Sequence, residues 1–202
     1  MVRIKICGVT REEDAELAID FGADMIGLNF YPPSPRSLRL EQARGIRRVI
    51  GNRCEVVGVF VNSARSYIEQ RMRELKLDYL QFHGEEDDNA LLGWPLKVIR
   101  ALRLEGVVSA DAIERCGADY VLLDTWHPQL FGGTGHSRSL DGLRGLELGR
   151  VILSGGLRPI NVAQAAVLRP YAVDVASGIE SAPGIKDPAS LRSFILNAKS
   201  AG

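Results

Sequence analysis

Cys7, Asn29, His83, Arg100, Asp124, Ser154 and Ser177 each stand at the end of a short stretch that reads as a strand. Polar groups repeated at the ends of successive parallel strands converge on one edge of a sheet, and the chemistry these groups offer is proton transfer. In Lys5-Ile6-Cys7-Gly8-Val9-Thr10, strand alternation puts Lys5 and Cys7 on one face and Ile4 and Ile6 on the other. A cation and a thiol on an inward face present a reactive group at a barrel mouth, whereas a free cysteine taken alone is also a small buried hydrophobe. Asp124 closes Tyr120-Val121-Leu122-Leu123, where a carboxyl group is desolvated enough for general-acid use; the alternative is a cap on the next turn. His83 is a packing histidine or a site residue. Arg36, in the turn-rich Tyr31-Pro32-Pro33-Ser34-Pro35-Arg36, is a surface arginine or a chelator of a carboxylate.

Two glycine clusters offer anion sites. Ser154-Gly155-Gly156 and Ser177-Gly178-Ile179-Glu180 each follow an apolar run, and without side chains their backbone N–H groups can converge on a phosphate, or they form tight turns only. A third cluster, Gly132-Gly133-Thr134-Gly135-His136, belongs to a long connection that is either a lid or a surface loop. Lys186-Asp187-Pro188 reads as a helix start, with Asp187 as N-cap and Pro188 in the first position, and is assigned to structure.

These residues need a scaffold that alternates strands with helices. Short β-branched runs at Arg3–Cys7, 25–30, 56–61, 79–83, 97–101, 120–124, 151–154 and 173–177 alternate with helical patterns, among them 40–50, 64–75 and 109–116, and predict a parallel sheet. Thr10 with Glu13 predicts a capped helix after the first strand. Gly22-Ala23-Asp24 before strand two returns as Gly117-Ala118-Asp119 before strand six, with Leu77-Asp78-Tyr79 as a weaker copy before strand four. That echo favours a closed (β/α)8 barrel over an open sheet. At 202 residues the barrel is a small variant in a single domain, 1–202, with a helix missing between strands four and five.

A formal net charge of zero excludes an electrostatic nucleic-acid binder. Cys7, Cys54 and Cys116 lack disulfide or zinc spacing, and the three histidines lack ligand spacing, so no metal is expected. No apolar run is long enough for a membrane span and Met1-Val2-Arg3-Ile4-Lys5 has no signal-peptide core, so a cytoplasmic protein with no membrane partner is expected.

The ordered set Lys5-Ile6-Cys7-Gly8-Val9-Thr10, Ser34-Pro35-Arg36, Gln81-Phe82-His83-Gly84, Asp124-Thr125 with Gly132-Gly133-Thr134-Gly135, Ser154-Gly155-Gly156-Leu157, and Val173 to Glu180 through Pro183-Gly184-Ile185-Lys186-Asp187 resembles the phosphoribosylanthranilate isomerase family of tryptophan biosynthesis. The match is collinear from the first strand to the last helix. It implies a ribulose-phosphate-binding (β/α)8 barrel and an Amadori rearrangement, an intramolecular oxidoreduction of the aldose-ketose type, with no cofactor. On this resemblance Cys7 is the general base and Asp124 the general acid. Arg36 pairs with the anthranilate carboxylate, His83 and Asp174 contact substrate, and Gly133, Gly155, Gly156, Ser177 and Gly178 hold the phosphate. Lys5 is expected to supply the positive potential that a thiolate needs. The partner is a small phosphosugar, and the assembly a monomer or homodimer.

The chain departs from the family pattern twice. His136-Ser137-Arg138-Ser139 precedes Leu140-Asp141-Gly142 where the family has Phe-Asp-Trp, and Phe82 replaces an aliphatic residue, a change that the outer layer is expected to absorb. The rivals are the related isomerase of histidine biosynthesis, with aspartate in place of Cys7, indoleglycerol-phosphate synthase, with a lysine acid, and a non-catalytic phosphosugar-binding barrel.

Overall fold

Eight parallel strands close on themselves in sequence order, β1(Arg3–Cys7), β2(Met25–Asn29), β3(Glu55–Phe60), β4(Tyr79–Phe82), β5(Lys97–Arg103), β6(Tyr120–Asp124), β7(Val151–Ser154) and β8(Ala172–Val175). The computed structural model describes residues 1–103, 110–124 and 142–201. Between the strands run α1(Glu12–Phe21), α2(Leu40–Ile50), α3(Arg65–Leu75), α4(Ala110–Glu114) and α5(Val162–Ala166), and α6(Pro188–Ala201) follows the barrel. As expected from its length, the β4–β5 connection carries only a 3-10 turn, Asp88–Leu91. After β8 come a second 3-10 turn, Ser177–Ile179, and an antiparallel hairpin of β9(Glu180–Ala182) and β10(Ile185–Lys186).

Alternation sorts the core into two layers. Ile4, Ile6, Ile26, Leu28, Val56, Val121, Leu123 and Val173 point outward and pack under the helices. Met25, Val57, Val59, Ile99, Leu122 and Ile152 fill the barrel itself. Phe82 is absorbed in the outer layer, 1% exposed, with its ring 6.0 Å from that of Trp94. At the amino-terminal end of the strands Arg3, Glu55, Tyr79 and Tyr171 close the interior with hydrogen bonds, the two phenol oxygens 3.0 Å apart.

The sequence echo has a structural cause. Asp24 accepts the Ile4 N–H, Asp78 the Val56 N–H and Asp119 the Val98 N–H, each at 2.8 Å. Each aspartate, placed just before an even-numbered strand, thus staples the second residue of the preceding odd-numbered strand.

Two local expectations are corrected. Thr10 does not cap α1: its hydroxyl donates to the Gly184 carbonyl at 2.5 Å, and the helix begins at Glu12 after an extended Arg11. The acidic first turn Glu12-Glu13-Asp14 complements the helix dipole instead. Strand eight ends at Val175, two residues early, because Ser177 already belongs to the following 3-10 turn. Asp187 accepts the Ser190 N–H at 2.8 Å, so the cap expected ahead of α6 is present.

Candidate active site

At the carboxyl ends of the strands a cavity of about 250 Å³ is lined by Cys7, Arg36, His83, Asp124, Asp174 and residues 154–157 and 175–178, among others. The barrel register explains the convergence. Cys7 sits level with Gly27, Lys5 with Asp174, and Asp124 with Ser154, so residues distant in sequence enter as one layer. Gly27 is required by close approach: a Cβ there would lie 2.8 Å from the Cys7 Sγ.

The thiol lies in an electrostatic contest. Burial pushes it up, Lys5 pulls it down, Asp174 pushes it up and Lys186 pulls it down, with a net rise above the ordinary thiol value. Lys5 therefore acts in the expected direction, but most of its charge is matched inside the barrel. Its Nζ lies 2.7 Å from Asp174 Oδ1, with neither side chain more than 6% exposed. Burial opposes the Lys5 ammonium, yet Asp174 and the thiol outweigh it and hold the proton above the usual lysine range. Ser154 donates to the other carboxylate oxygen of Asp174 at 2.8 Å, so that group is held by the protein on both oxygens while still lining the cavity. Cys54 offers a contrast: burial pushes its thiol up to about 12, far from a reactive state.

Across the mouth, His83 Nε2 stands 3.7 Å from Asp124 Oδ2. The amide nitrogen of Gln81 lies 3.0 Å from the other ring nitrogen, Nδ1. The ring of His83 is thus held between Gln81 on its Nδ1 side and Asp124 on its Nε2 side. Arg36 is carried by a loop that Asn29 and Ser34 organise, with Asn29 Oδ1 taking the Tyr31 N–H and Ser34 Oγ the Arg36 N–H. Its guanidinium meets a carboxylate of the protein, Glu180, through Nε at 2.8 Å and Nη2 at 2.5 Å.

Gly155 and Gly156 both have positive φ, 81° and 64°, and turn the chain after β7 over the end of the barrel. Gly178 packs so tightly on this turn that a Cβ would run into the Leu157 carbonyl. The two segments thereby form one cradle of backbone groups, suited to an anion. Gly133 and the rest of its loop lie outside the described residues. Arg100, expected at a strand end, lies inside β5, which runs on to Arg103; it pairs with Glu86 at 3.2 Å and does not line the cavity. Among the described residues no group of three histidine, cysteine, aspartate or glutamate side chains is placed to hold a metal ion.

Sequence reasoning misses Lys186 and Glu180. Lys186, assigned to a helix start, is 1% exposed and its ammonium donates to the Cys7 carbonyl at 2.7 Å. No periodicity or motif marks it, since the contact joins the two ends of the fold.

A family model described as N-(5'phosphoribosyl)anthranilate (PRA) isomerase matches residues 4–197. The N-(5'-phosphoribosyl)anthranilate isomerase of Myxococcus xanthus is 47% identical over 206 residues, covering 98% of this chain and 97% of that protein. The crystal structure of phosphoribosyl anthranilate isomerase from Thermus thermophilus superposes with a TM-score of 0.86 at 36% identity, covering 100% of both chains. A phosphoribosyl anthranilate isomerase in complex with reduced 1-(o-carboxyphenylamino)-1-deoxyribulose 5-phosphate superposes with a TM-score of 0.80 at 37% identity, over 99% of this chain and 100% of that one.

Proposed function

Because the chain belongs to the N-(5'-phosphoribosyl)anthranilate isomerase family, we propose that its barrel mouth performs the Amadori rearrangement of N-(5-phosphoribosyl)anthranilate, with Asp124 as general acid and Cys7 as general base. The product is 1-(2-carboxyphenylamino)-1-deoxyribulose 5-phosphate, on the route to tryptophan. Asp124 gives its proton to the furanose ring oxygen while the anthranilate nitrogen pushes out the C1–O bond, leaving an open-chain Schiff base. The Cys7 thiolate removes the C2 proton, and the enolamine takes a proton at C1 as it becomes the ketone. C1 is reduced and C2 oxidised within one molecule, so the electrons balance internally.

The observation that carries this reading is that Cys7 and Asp124 line one cavity, with the glycine cradle and Arg36 on its walls. The cradle of Gly155, Gly156, Ser177 and Gly178, with Gly133 from the β6 loop, takes the phosphate. Arg36 takes the anthranilate carboxylate. His83, with its Nε2 3.7 Å from Asp124 Oδ2, orients the acid and meets the substrate, and Asp174 reaches a sugar hydroxyl. Residues 1–202 act as one domain, as a monomer or homodimer, in the reducing cytoplasm that keeps the Cys7 thiol available.

Anthranilate fluorescence tests the proposal. Freshly generated phosphoribosylanthranilate should lose its signal on adding the protein. Cys7→Ala and Asp124→Asn should each lower kcat by about 100-fold or more while still binding the reduced product analogue. No fluorescence change with the intact protein would leave a phosphosugar-binding barrel instead.

A further inference from the structure

Two buried lysines flank Cys7, and only Lys5 belongs to the barrel. Lys186 reaches the site from β10, and its three ammonium hydrogens meet three acceptors: the Cys7 carbonyl at 2.7 Å, the Ala176 carbonyl at 3.1 Å and Glu180 Oε1 at 2.9 Å. Glu180 in turn holds the Nε and Nη2 edge of Arg36. That leaves the outer edge of the guanidinium, Nη1 and the second hydrogen of Nη2, for another carboxylate. The hairpin that carries Lys186 and Glu180 is itself fixed to the start of α1. Thr10 donates to Gly184, and buried Asp14, paired with Arg11, accepts the Lys186 N–H at 3.1 Å.

A continuous chain of charged groups thus joins the backbone of Cys7 to the guanidinium of Arg36. Burying such groups is costly, and a hairpin could be anchored more cheaply by apolar side chains. The charges around the thiol also do not cancel evenly. Lys5 from β1 is matched by Asp174 from β8, whereas Lys186 from β10 and Arg36 from the β2–α2 loop share the single carboxylate of Glu180. Among these five groups one positive charge is in excess.

We propose that Lys186 and Glu180 are positioning residues for the reaction: Lys186 fixes the Cys7 backbone and favours its thiolate, and Glu180 presents the outer edge of Arg36 to the substrate carboxylate. This inference rests on Cys7 as base and Arg36 as carboxylate anchor, and it adds two residues that act through them.

The test compares phosphoribosylanthranilate with the corresponding phosphoribosylaniline, which lacks the carboxylate, in Arg36→Ala, Glu180→Gln and Lys186→Met, each checked by thermal melting. Glu180→Gln should raise KM for the anthranilate compound about tenfold more than KM for the aniline compound, and Arg36→Ala should widen that ratio further. Lys186→Met should move the acid limb of kcat/KM upward in pH by about one unit, a change that mere loss of stability does not produce. If Arg36→Ala discriminates between the two compounds but Glu180→Gln does not, the positioning role of Glu180 is wrong and the anchor stands. If Arg36→Ala does not discriminate, the anchor fails and Glu180 with it. An unmoved acid limb in folded Lys186→Met removes Lys186 from the proposal. Should Lys186→Met not fold, Lys186→Arg, which keeps the charge on a different reach, is expected to hold the limb in place while lowering kcat; an unchanged kcat overturns the role.

Discussion

Removing Asp174 should destabilise the barrel in a way that depends on pH. Lys5 and Asp174 face each other inside the barrel at 2.7 Å, with 0% and 6% of their side chains exposed. Asp174→Ala leaves the ammonium buried without its partner, a loss that costs about 3–5 kcal/mol when one member of a buried pair is deleted. For a chain of this length each kcal/mol lowers Tm by about 2–4 °C, so a fall of roughly 6–20 °C is expected. Asp174→Asn keeps an oxygen for Lys5 and should lose less. In the wild-type protein the raised Lys5 contributes stability that is complete below the ordinary lysine pKa and is lost as pH rises through the folded-state value. In Asp174→Ala burial acts with far less opposition, the folded-state value drops below that of the unfolded chain, and stability rises with pH until the unfolded lysine also deprotonates. Guanidinium unfolding near neutrality and at about pH 10 measures both. The deficit of Asp174→Ala should shrink at the higher pH. A deficit under about 1 kcal/mol near neutrality, or one equal at both pH values, would refute the account of this pair.

Three further outcomes concern catalysis. Because burial outweighs the two lysines at Cys7, kcat/KM should climb through an alkaline thiol titration, and a pH profile already flat below neutrality would show that the free enzyme holds a thiolate without help. Gly27→Ala puts a methyl 2.8 Å from the Cys7 Sγ and should lower kcat by about 10–100-fold with little change in KM; wild-type turnover would mean that the thiol has room to move. Gly178→Ala drives a methyl into the Leu157 carbonyl and should raise both KM and the inhibition constant of inorganic phosphate, about tenfold, whereas unaltered phosphate inhibition would take this turn out of the anion site.

The strands were readable because a parallel barrel strand is buried on both faces and appears as a compact apolar run such as Val56–Phe60 or Val121–Leu123. Their polar ends are readable for the same reason, since Asp124 and Ser154 close nearly apolar runs and Cys7 closes one whose inward face holds Lys5. The Gly-Ala-Asp echo was visible as a repeat, but its purpose, an aspartate stapling the preceding strand, appears only once register is known. Lys186 and Glu180 were hidden because their partners are set by the docking of a hairpin on α1, which leaves no local periodicity. Thr10 misled for a related reason: its sequence suits a cap, and a long-range carbonyl competes for the hydroxyl and wins.

The bonds that finish the site are also those with the greatest span. Lys186 meets Cys7 across 179 positions, Thr10 meets Gly184 across 174, and Lys5 meets Asp174 across 169. While the chain is being synthesised, β1 can pair with β2 but its other edge waits for β8. Ring closure must supply the entropy of joining distant segments before it gains these contacts, so closure of the barrel and maturation of the thiol's surroundings are one late event. Until then Cys7 lies on an open strand edge, without Lys186 on its carbonyl, Asp174 on Lys5 or β8 alongside. The electrostatic setting of the base is completed by folding, and its own strand supplies only Lys5.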